Sequence, residues 1–197
     1  RKTAKEVLAV VEMVLSGKVN KQLVAMLRQN GLPAVGVSGV DGGLLEAEPI
    51  DVAKLGYVGR VKTVRSRLLR TLLAAGYIPV VSPLGIDQNG QTYNINADTA
   101  AGAVAAAIGA SQLAFVTNVP GILRDGALVA EATAETIERL IEDGVITGGM
   151  IPKVKAALSA LSDALPEVMI VSGKTTFYQN GTWYGTTIRK ENEVGVY

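Results

Sequence analysis

Cysteine and histidine are both absent from the 197 residues. Without cysteine there is no disulfide and no thiol nucleophile, and without histidine the commonest metal ligand and the commonest general base are missing. Aromatic residues are scarce, at two Phe, one Trp and six Tyr, too few for a platform on which nucleic-acid bases stack. Neither sign of charge is in excess: 19 Lys and Arg stand against 18 Asp and Glu, a formal net charge of +1, so no field steers the chain toward nucleic acid or an acidic membrane face. No apolar run approaches the roughly 20 residues that cross a bilayer. The opening Arg1-Lys2-Thr3-Ala4-Lys5-Glu6 lacks the apolar core of a secretory signal. These absences predict a cytoplasmic protein whose partners are neither nucleic acid nor membrane. Its chemistry must run on Lys, Arg, Asp, Glu, hydroxyls and backbone dipoles. Phosphoryl transfer fits that inventory, because it needs positioning and charge stabilisation more than covalent help.

Hydrophobic residues at 48% and charged residues at 19% are ordinary globular proportions, and the length predicts one domain over 1–197 with a substantial core. Val7, Leu8, Val11, Val14 and Leu15 recur at helical spacing, and Gly17 is expected to end or kink that segment. Val19, Leu23, Met26 and Leu27 predict a second helical face, stopped by Asn30-Gly31. Residues 34–37 read as a strand closed by Ser38-Gly39. The stretch 41–64, with its alternating apolar residues and turn signals, reads as a hairpin excursion rather than another strand–helix unit. Ser66 is expected to cap a helix stopped by Gly76, and 77–81 reads as a buried strand. An alanine-rich helix is expected over 98–109, strands over 113–117 and 168–171, helices over 133–143 and 150–164, and a turn-rich tail from Thr175. Helices alternating with short apolar strands predict an α/β fold, a mostly parallel sheet layered between helices.

In such sheets ligands gather beyond the carboxyl ends of the strands. Those ends carry Ser38-Gly39, Ser82-Pro83-Leu84-Gly85, Thr117-Asn118-Val119-Pro120-Gly121 and Ser172-Gly173-Lys174. Small residues, hydroxyls and glycine suit close approach of backbone to phosphate, and they also suit any strand-to-helix turn. The most informative stretch is Gly148-Gly149-Met150-Ile151-Pro152-Lys153. Glycines break the chain, Pro152 fits a first helical turn, and Lys153 stands at the helix end whose dipole disfavours cations. Lys153 is either a solvated lysine or half of an anion site shared with free backbone N–H groups. Upstream, Asn94 and Asn96 alternate onto one side of an extended segment, and Asp98 at the next helix start either caps it or also orients lysines.

Asn94-Ile95-Asn96-Ala97-Asp98, the Thr117 to Gly121 turn and Gly148 to Lys153 together resemble the amino acid kinase family, as do Glu12 to Lys21 and Val37 to Gly43. The likeness runs from Arg1 to about Gly173. It implies the family's three-layer sandwich, and ATP-dependent phosphorylation of the side-chain carboxylate of N-acetyl-L-glutamate to an acyl phosphate in arginine biosynthesis. Another N-acylated acceptor such as aminoadipate, or a non-catalytic binding module, are the alternatives. By resemblance Lys153 stabilises the transferring phosphoryl group and Asp98 organises the catalytic lysines. Arg1, Asn94 and Asn96 hold the substrate, and Thr117, Asn118, Gly121, Leu123, Gly148, Gly149 and Met150 line the nucleotide site. ATP brings Mg2+ on its phosphates, and no protein-held metal is implied. Family members pair as homodimers through the region matching the helices in 6–30. The family's first strand, with its lysine and paired glycines, and a second glycine-rich loop have no match in these residues. The resemblance therefore leads us to expect a preceding segment, without which the chain turns over no ATP and has marginal solubility. Asn118 replaces a usual Asp, and the tail from Thr175 does not resemble that of arginine-inhibited members.

Overall fold

The computed structural model describes residues 2–190, which group into two compact units that divide after Ile108.

The first unit opens with a continuous helical run: α1 (Lys5–Glu12), a π-helical segment (Met13–Val19) and α2 (Asn20–Gln29). Gly17 does not end it but lies within the π-helical segment, where the regular α-helical ladder is interrupted. The wider π turn lets the Asn20 N–H reach back to the Leu15 carbonyl, an i→i−5 bond, so the run continues past Gly17. The same carbonyl accepts the Ser82 hydroxyl at 3.1 Å. Asn20 is buried at 3% exposure, and its amide donates to the Val37 and Val80 carbonyls at 3.1 and 2.8 Å. That side chain ties the helical run to β1 (Ala34–Ser38) and β4 (Ile78–Ser82), which pair in parallel from Ala34 opposite Ile78 to Ser38 opposite Ser82.

Between them come β2 (Leu45–Pro49), the short α3 (Val52–Leu55), β3 (Val58–Val64) and α4 (Arg67–Ala74). After β4 follow β5 (Leu84–Ile86), β6 (Thr92–Ile95) and α5 (Ala97–Ile108). The antiparallel pair β2–β3 falls within 41–64, and with β5 and β6 it closes a small four-stranded barrel in the order β2-β3-β6-β5. Its interior is filled by Leu44, Leu45, Ala47, Tyr93 and Ile95, continuous with Leu69 of α4 and Ala100 of α5. Two further expectations need correction. Ser66 stands before α4 in a helical conformation and makes no side-chain cap; its hydroxyl accepts from Arg70 Nε at 3.3 Å. The strand expected to be buried over 77–81 begins half exposed, with Tyr77 at 41% and Ile78 at 38%, because it pairs only with β1 in this unit.

The second unit holds β7 (Leu113–Thr117), the short pair β8 (Leu123–Arg124) and β9 (Ala127–Leu128), β10 (Glu131–Ala132), α6 (Ala134–Glu142) and α7 (Met150–Ala160). It continues with β11 (Glu167–Ser172), β12 (Tyr178–Gln179), β13 (Thr182–Trp183) and β14 (Gly185–Arg189). The sheet order is β10-β14-β11-β7. β11 lies parallel to β7 and antiparallel to β14, and its Val168, Met169, Ile170 and Val171 are sealed on both faces. A strand covered on both sides reads as an unbroken apolar run, as this one does. Thr133 caps α6, its side chain accepting from the Thr136 N–H. The helix expected over 150–164 stops at Ala160. Ser162 and Leu165 exchange backbone hydrogen bonds at 3.0 and 3.2 Å, and that turn delivers the chain into β11. Parallel strands flanked by helices bear out the α/β class.

Candidate active site

Two groups of expected site residues are described in turn, one in each unit.

In the first unit the β6–α5 junction holds Asn94, Asn96 and Asp98. The two asparagines do different work. Asn94, in β6, donates through Nδ2 to Thr3 Oγ1 at 3.1 Å. Asn96 lies just past the strand, and its Oδ1 accepts from the Thr99 N–H at 3.0 Å and the Thr99 hydroxyl at 2.9 Å. Asn96 is therefore the residue that caps α5, the role weighed for Asp98. Asp98 sits inside the first turn, where a negative charge is favoured by the helix dipole. The hairpin leading into Asn94 is pinned by Asp87, which accepts from the Asn89 and Gln91 N–H groups at 2.8 and 2.9 Å and from the Tyr93 hydroxyl at 3.1 Å. The Gln91 N–H leads in holding the Asp87 carboxyl below its ordinary value. Burial first, then Asp87, raises the Tyr93 phenol.

The strand-end serines of this unit are spoken for. Ser82 gives its hydroxyl to Leu15 and accepts from Asn20 at 3.2 Å, and Ser38 Oγ accepts from the Val40 N–H at 3.2 Å. These hydroxyls hold the turns. Arg1 lies outside the described residues.

In the second unit an open cleft of about 180 Å³ is walled by Val119, Gly121, Ile122, Leu123, Val145, Ile146, Thr147 and Met150. Gly121, Leu123 and Met150 were expected at the nucleotide; Val145, Ile146 and Thr147 were not. No local signal marks them: Ile146 is buried at 2% exposure, and an apolar pair here reads in sequence as core. The wall holds its shape through Thr186, fully buried, whose hydroxyl accepts from the Ile122 N–H at 2.8 Å and donates to the Val129 carbonyl at 2.7 Å. Gly121 lies against that side chain with φ +152, and a Cβ there would come 2.6 Å from Thr186 Oγ1. No larger residue fits.

Gly148 and Gly149 lead into α7 with open space around both, and Gly148 takes φ +54, a left-handed turn that glycine adopts without cost. Lys153 follows, half-buried, with Nζ 5.1 Å from the centre of the Phe115 ring. Thr117 of β7 pairs with Ser172 of β11, and the Gly173 N–H donates to the Thr117 carbonyl at 2.8 Å. The Thr117 hydroxyl faces Asn118 Oδ1 at 3.4 Å. Thr117 and Asn118 thus stand at the carboxyl end of β7 and do not wall the cleft. An apolar cleft, a glycine-led helix start and an ammonium on that helix can together take a nucleotide's base and its phosphates.

The sequence model of the amino acid kinase family matches residues 1–172. The chain belongs to the amino acid kinase family. Acetylglutamate kinase of Geobacillus kaustophilus is 97% identical over 197 residues, covering 100% of this chain and 76% of that relative. Acetylglutamate kinase of Geobacillus stearothermophilus is 93% identical over the same coverage. Among solved structures, the smu.665 protein of Streptococcus mutans UA159 superposes with a TM-score of 0.85 at 32% identity, covering 96% of this chain and 74% of that one. As an amino acid kinase, the protein uses ATP, and the family match crosses both units.

Proposed function

We propose that this chain carries the nucleotide- and acid-handling residues of an acetylglutamate kinase, which moves the γ-phosphoryl group of ATP onto the side-chain carboxylate of N-acetyl-L-glutamate in arginine biosynthesis. The observation that carries this reading is 97% identity along the whole chain to an enzyme of that name. The two units serve as one kinase domain. The acceptor carboxylate is ionised at neutral pH. One of its oxygens bonds to the γ-phosphorus as the bond from phosphorus to the β–γ bridging oxygen breaks. ADP leaves with that electron pair, and the product is an acyl phosphate. No proton has to be removed from the acceptor, so a chain with no histidine suffices.

The obstacle is two anions meeting, and cationic groups and backbone donors remove it. In this reading the base of ATP occupies the cleft walled by Gly121, Leu123 and Met150, while Thr117, Asn118, Gly148 and Gly149 meet its polar groups. Lys153 neutralises charge on the transferring phosphoryl group. Asp98 organises lysine ammonium groups. Asn94 reads the acid, Asn96 contributes through its cap of α5, and Arg1 grips the acid's carboxylate through its planar fork. Magnesium travels on the nucleotide phosphates, where it keeps several waters and needs no protein cage. A substrate panel tests the reading: ADP release should saturate with acetylglutamate and stay near background with glutamate. Preference for N-acetylaminoadipate would move the protein to a sister activity, and nucleotide binding with no acceptor-dependent ADP would make it a binding module.

Homodimerisation through the helices in 6–30 is part of the same proposal. Val10, Met13, Leu23 and Met26 are exposed at 52, 65, 45 and 58%, an apolar stripe at helical spacing that a second copy would cover. Sedimentation at micromolar concentration should return a dimer, and Met13→Lys with Met26→Lys a monomer; a monomeric parent would refute the pairing. No helix among the described residues is long and apolar enough to cross a membrane, and we place the enzyme in the cytoplasm with its small-molecule substrates.

A further inference from the structure

Thr3 is buried at 2% exposure and held by its backbone on both sides. Its N–H donates to the Leu55 carbonyl at 2.9 Å, and its carbonyl accepts from the Tyr57 N–H at 2.8 Å, a parallel bridge centred on Gly56. Gly56 makes the approach possible: its φ is +66, and a Cβ there would run into the Thr3 carbonyl. The bridge brings the Thr3 hydroxyl to β6, where Oγ1 accepts from Asn94 Nδ2 at 3.1 Å.

Asn94 is already fixed in its main chain. Its N–H donates to the Tyr57 carbonyl at 2.9 Å, and it pairs with Val58 of β3 on one side and Leu84 of β5 on the other. What remains free to turn is the carboxamide, and a carboxamide that flips exchanges a donor for an acceptor. The bond to the Thr3 hydroxyl holds the plane of that carboxamide, with Nδ2 on the Thr3 side. With Nδ2 turned to Thr3, the amide keeps its carbonyl oxygen and its second N–H on fixed sides. A β-branched residue suits the task, since its χ1 is stiff.

We propose that Thr3 is a positioning residue for the acid substrate: it fixes the Asn94 amide in the orientation that reads N-acetylglutamate, and so sets affinity for the acid by acting through Asn94. This rests on the assignment of Asn94 to the acid. An amide oriented before binding loses less freedom on binding. The effect falls on affinity rather than on the transferring phosphoryl group.

The test uses a full-length enzyme carrying these residues. Thr3→Val keeps shape and branching but removes the oxygen, and should raise KM for acetylglutamate by about five- to tenfold, leaving kcat and KM for ATP within about twofold. Thr3→Ser, which keeps the oxygen, should restore KM to within about threefold of the parent. Thr3→Ala is the second variant, with the same expected rise, should valine not fold. Asn94→Ala should raise KM by itself, and adding Thr3→Val to it should change KM no further. If Thr3→Val raises KM equally in the Asn94→Ala background, or lowers thermal stability and kcat with KM unchanged, Thr3 is structural and the proposal falls. If Asn94→Ala raises KM and neither Thr3→Val nor Thr3→Ala does, Thr3 alone is refuted. If Asn94→Ala leaves KM unchanged, the assignment of Asn94 fails and takes this proposal with it.

Discussion

Replacing Lys153 by alanine should lower kcat by about a hundred- to a thousandfold while nucleotide affinity changes by less than about threefold. The expectation follows from where the ammonium sits. It lies in the first turns of a glycine-led helix, where the dipole works against a cation and where, in the proposed function, an anionic phosphoryl group offsets that cost. One of its neighbours is the face of Phe115 at 5.1 Å, a contact worth about 0.5–1 kcal/mol at a half-exposed site. Charge on a phosphoryl group in flight is spread over its equatorial oxygens, and a cation there stabilises the transition state more than bound ATP. The variant should keep its melting temperature within a few degrees by calorimetry and keep its nucleotide titration curve. Unchanged turnover would remove Lys153 from the mechanism.

Asp98→Asn should abolish most activity, by about a hundredfold or more, with the fold intact. Asn96 accepts from the Thr99 N–H and hydroxyl at the open end of α5, and the substitution leaves those bonds in place. Asn also keeps the shape of Asp and changes only its charge. What disappears is the negative charge to which the proposed function gives the task of organising ammonium groups. Circular dichroism and thermal unfolding should overlay those of the parent, apart from a loss of up to about 1 kcal/mol of helix-dipole interaction in the first turn. A melting temperature that falls sharply, with turnover per folded molecule retained, would make Asp98 a purely structural residue.

Where the sequence was legible, local pattern and tertiary packing asked for the same thing. β1, β7 and β11 are short apolar runs between turn residues, α5 is alanine-rich, and α6 begins at Thr133 with the helix cap its hydroxyl provides. The misreadings lie where one residue shifts the pattern or where a distant partner decides. The π-helical segment Met13–Val19 is invisible to a 3.6-residue period, because Gly17 signals a break and only the Leu15 carbonyl, shared by Asn20 and Ser82, reveals continuity. Asn96 and Asp98 are both good caps, and chemistry alone does not choose between them. Leu161 continues the apolar period of α7 past its real end at Ala160. The barrel closes through the parallel pairs β3–β6 and β2–β5, contacts between strands distant in sequence.

The site shows the same division. Gly121, Leu123 and Met150, expected together from the family resemblance, wall one cleft. Val145 and Ile146 pass for core residues in a sequence, and only folding turns them toward that cleft. Thr3 carries no signal at all until Gly56 brings it to Asn94.

The most direct measurement follows one oxygen atom. N-acetylglutamate labelled with oxygen-18 in its side-chain carboxylate is incubated with ATP, magnesium and the full-length enzyme, and the product is trapped with hydroxylamine. If the carboxylate attacks the γ-phosphorus, the bridging oxygen of the acyl phosphate comes from the acid. Hydroxylamine then attacks the carbonyl carbon and expels phosphate, giving one hydroxamate and one singly labelled phosphate per ADP, which mass spectrometry reads directly. Phosphate free of label, released with ADP in the absence of hydroxamate, would mean that water and not the acid receives the phosphoryl group, and would contradict phosphorylation of a side-chain carboxylate by this enzyme.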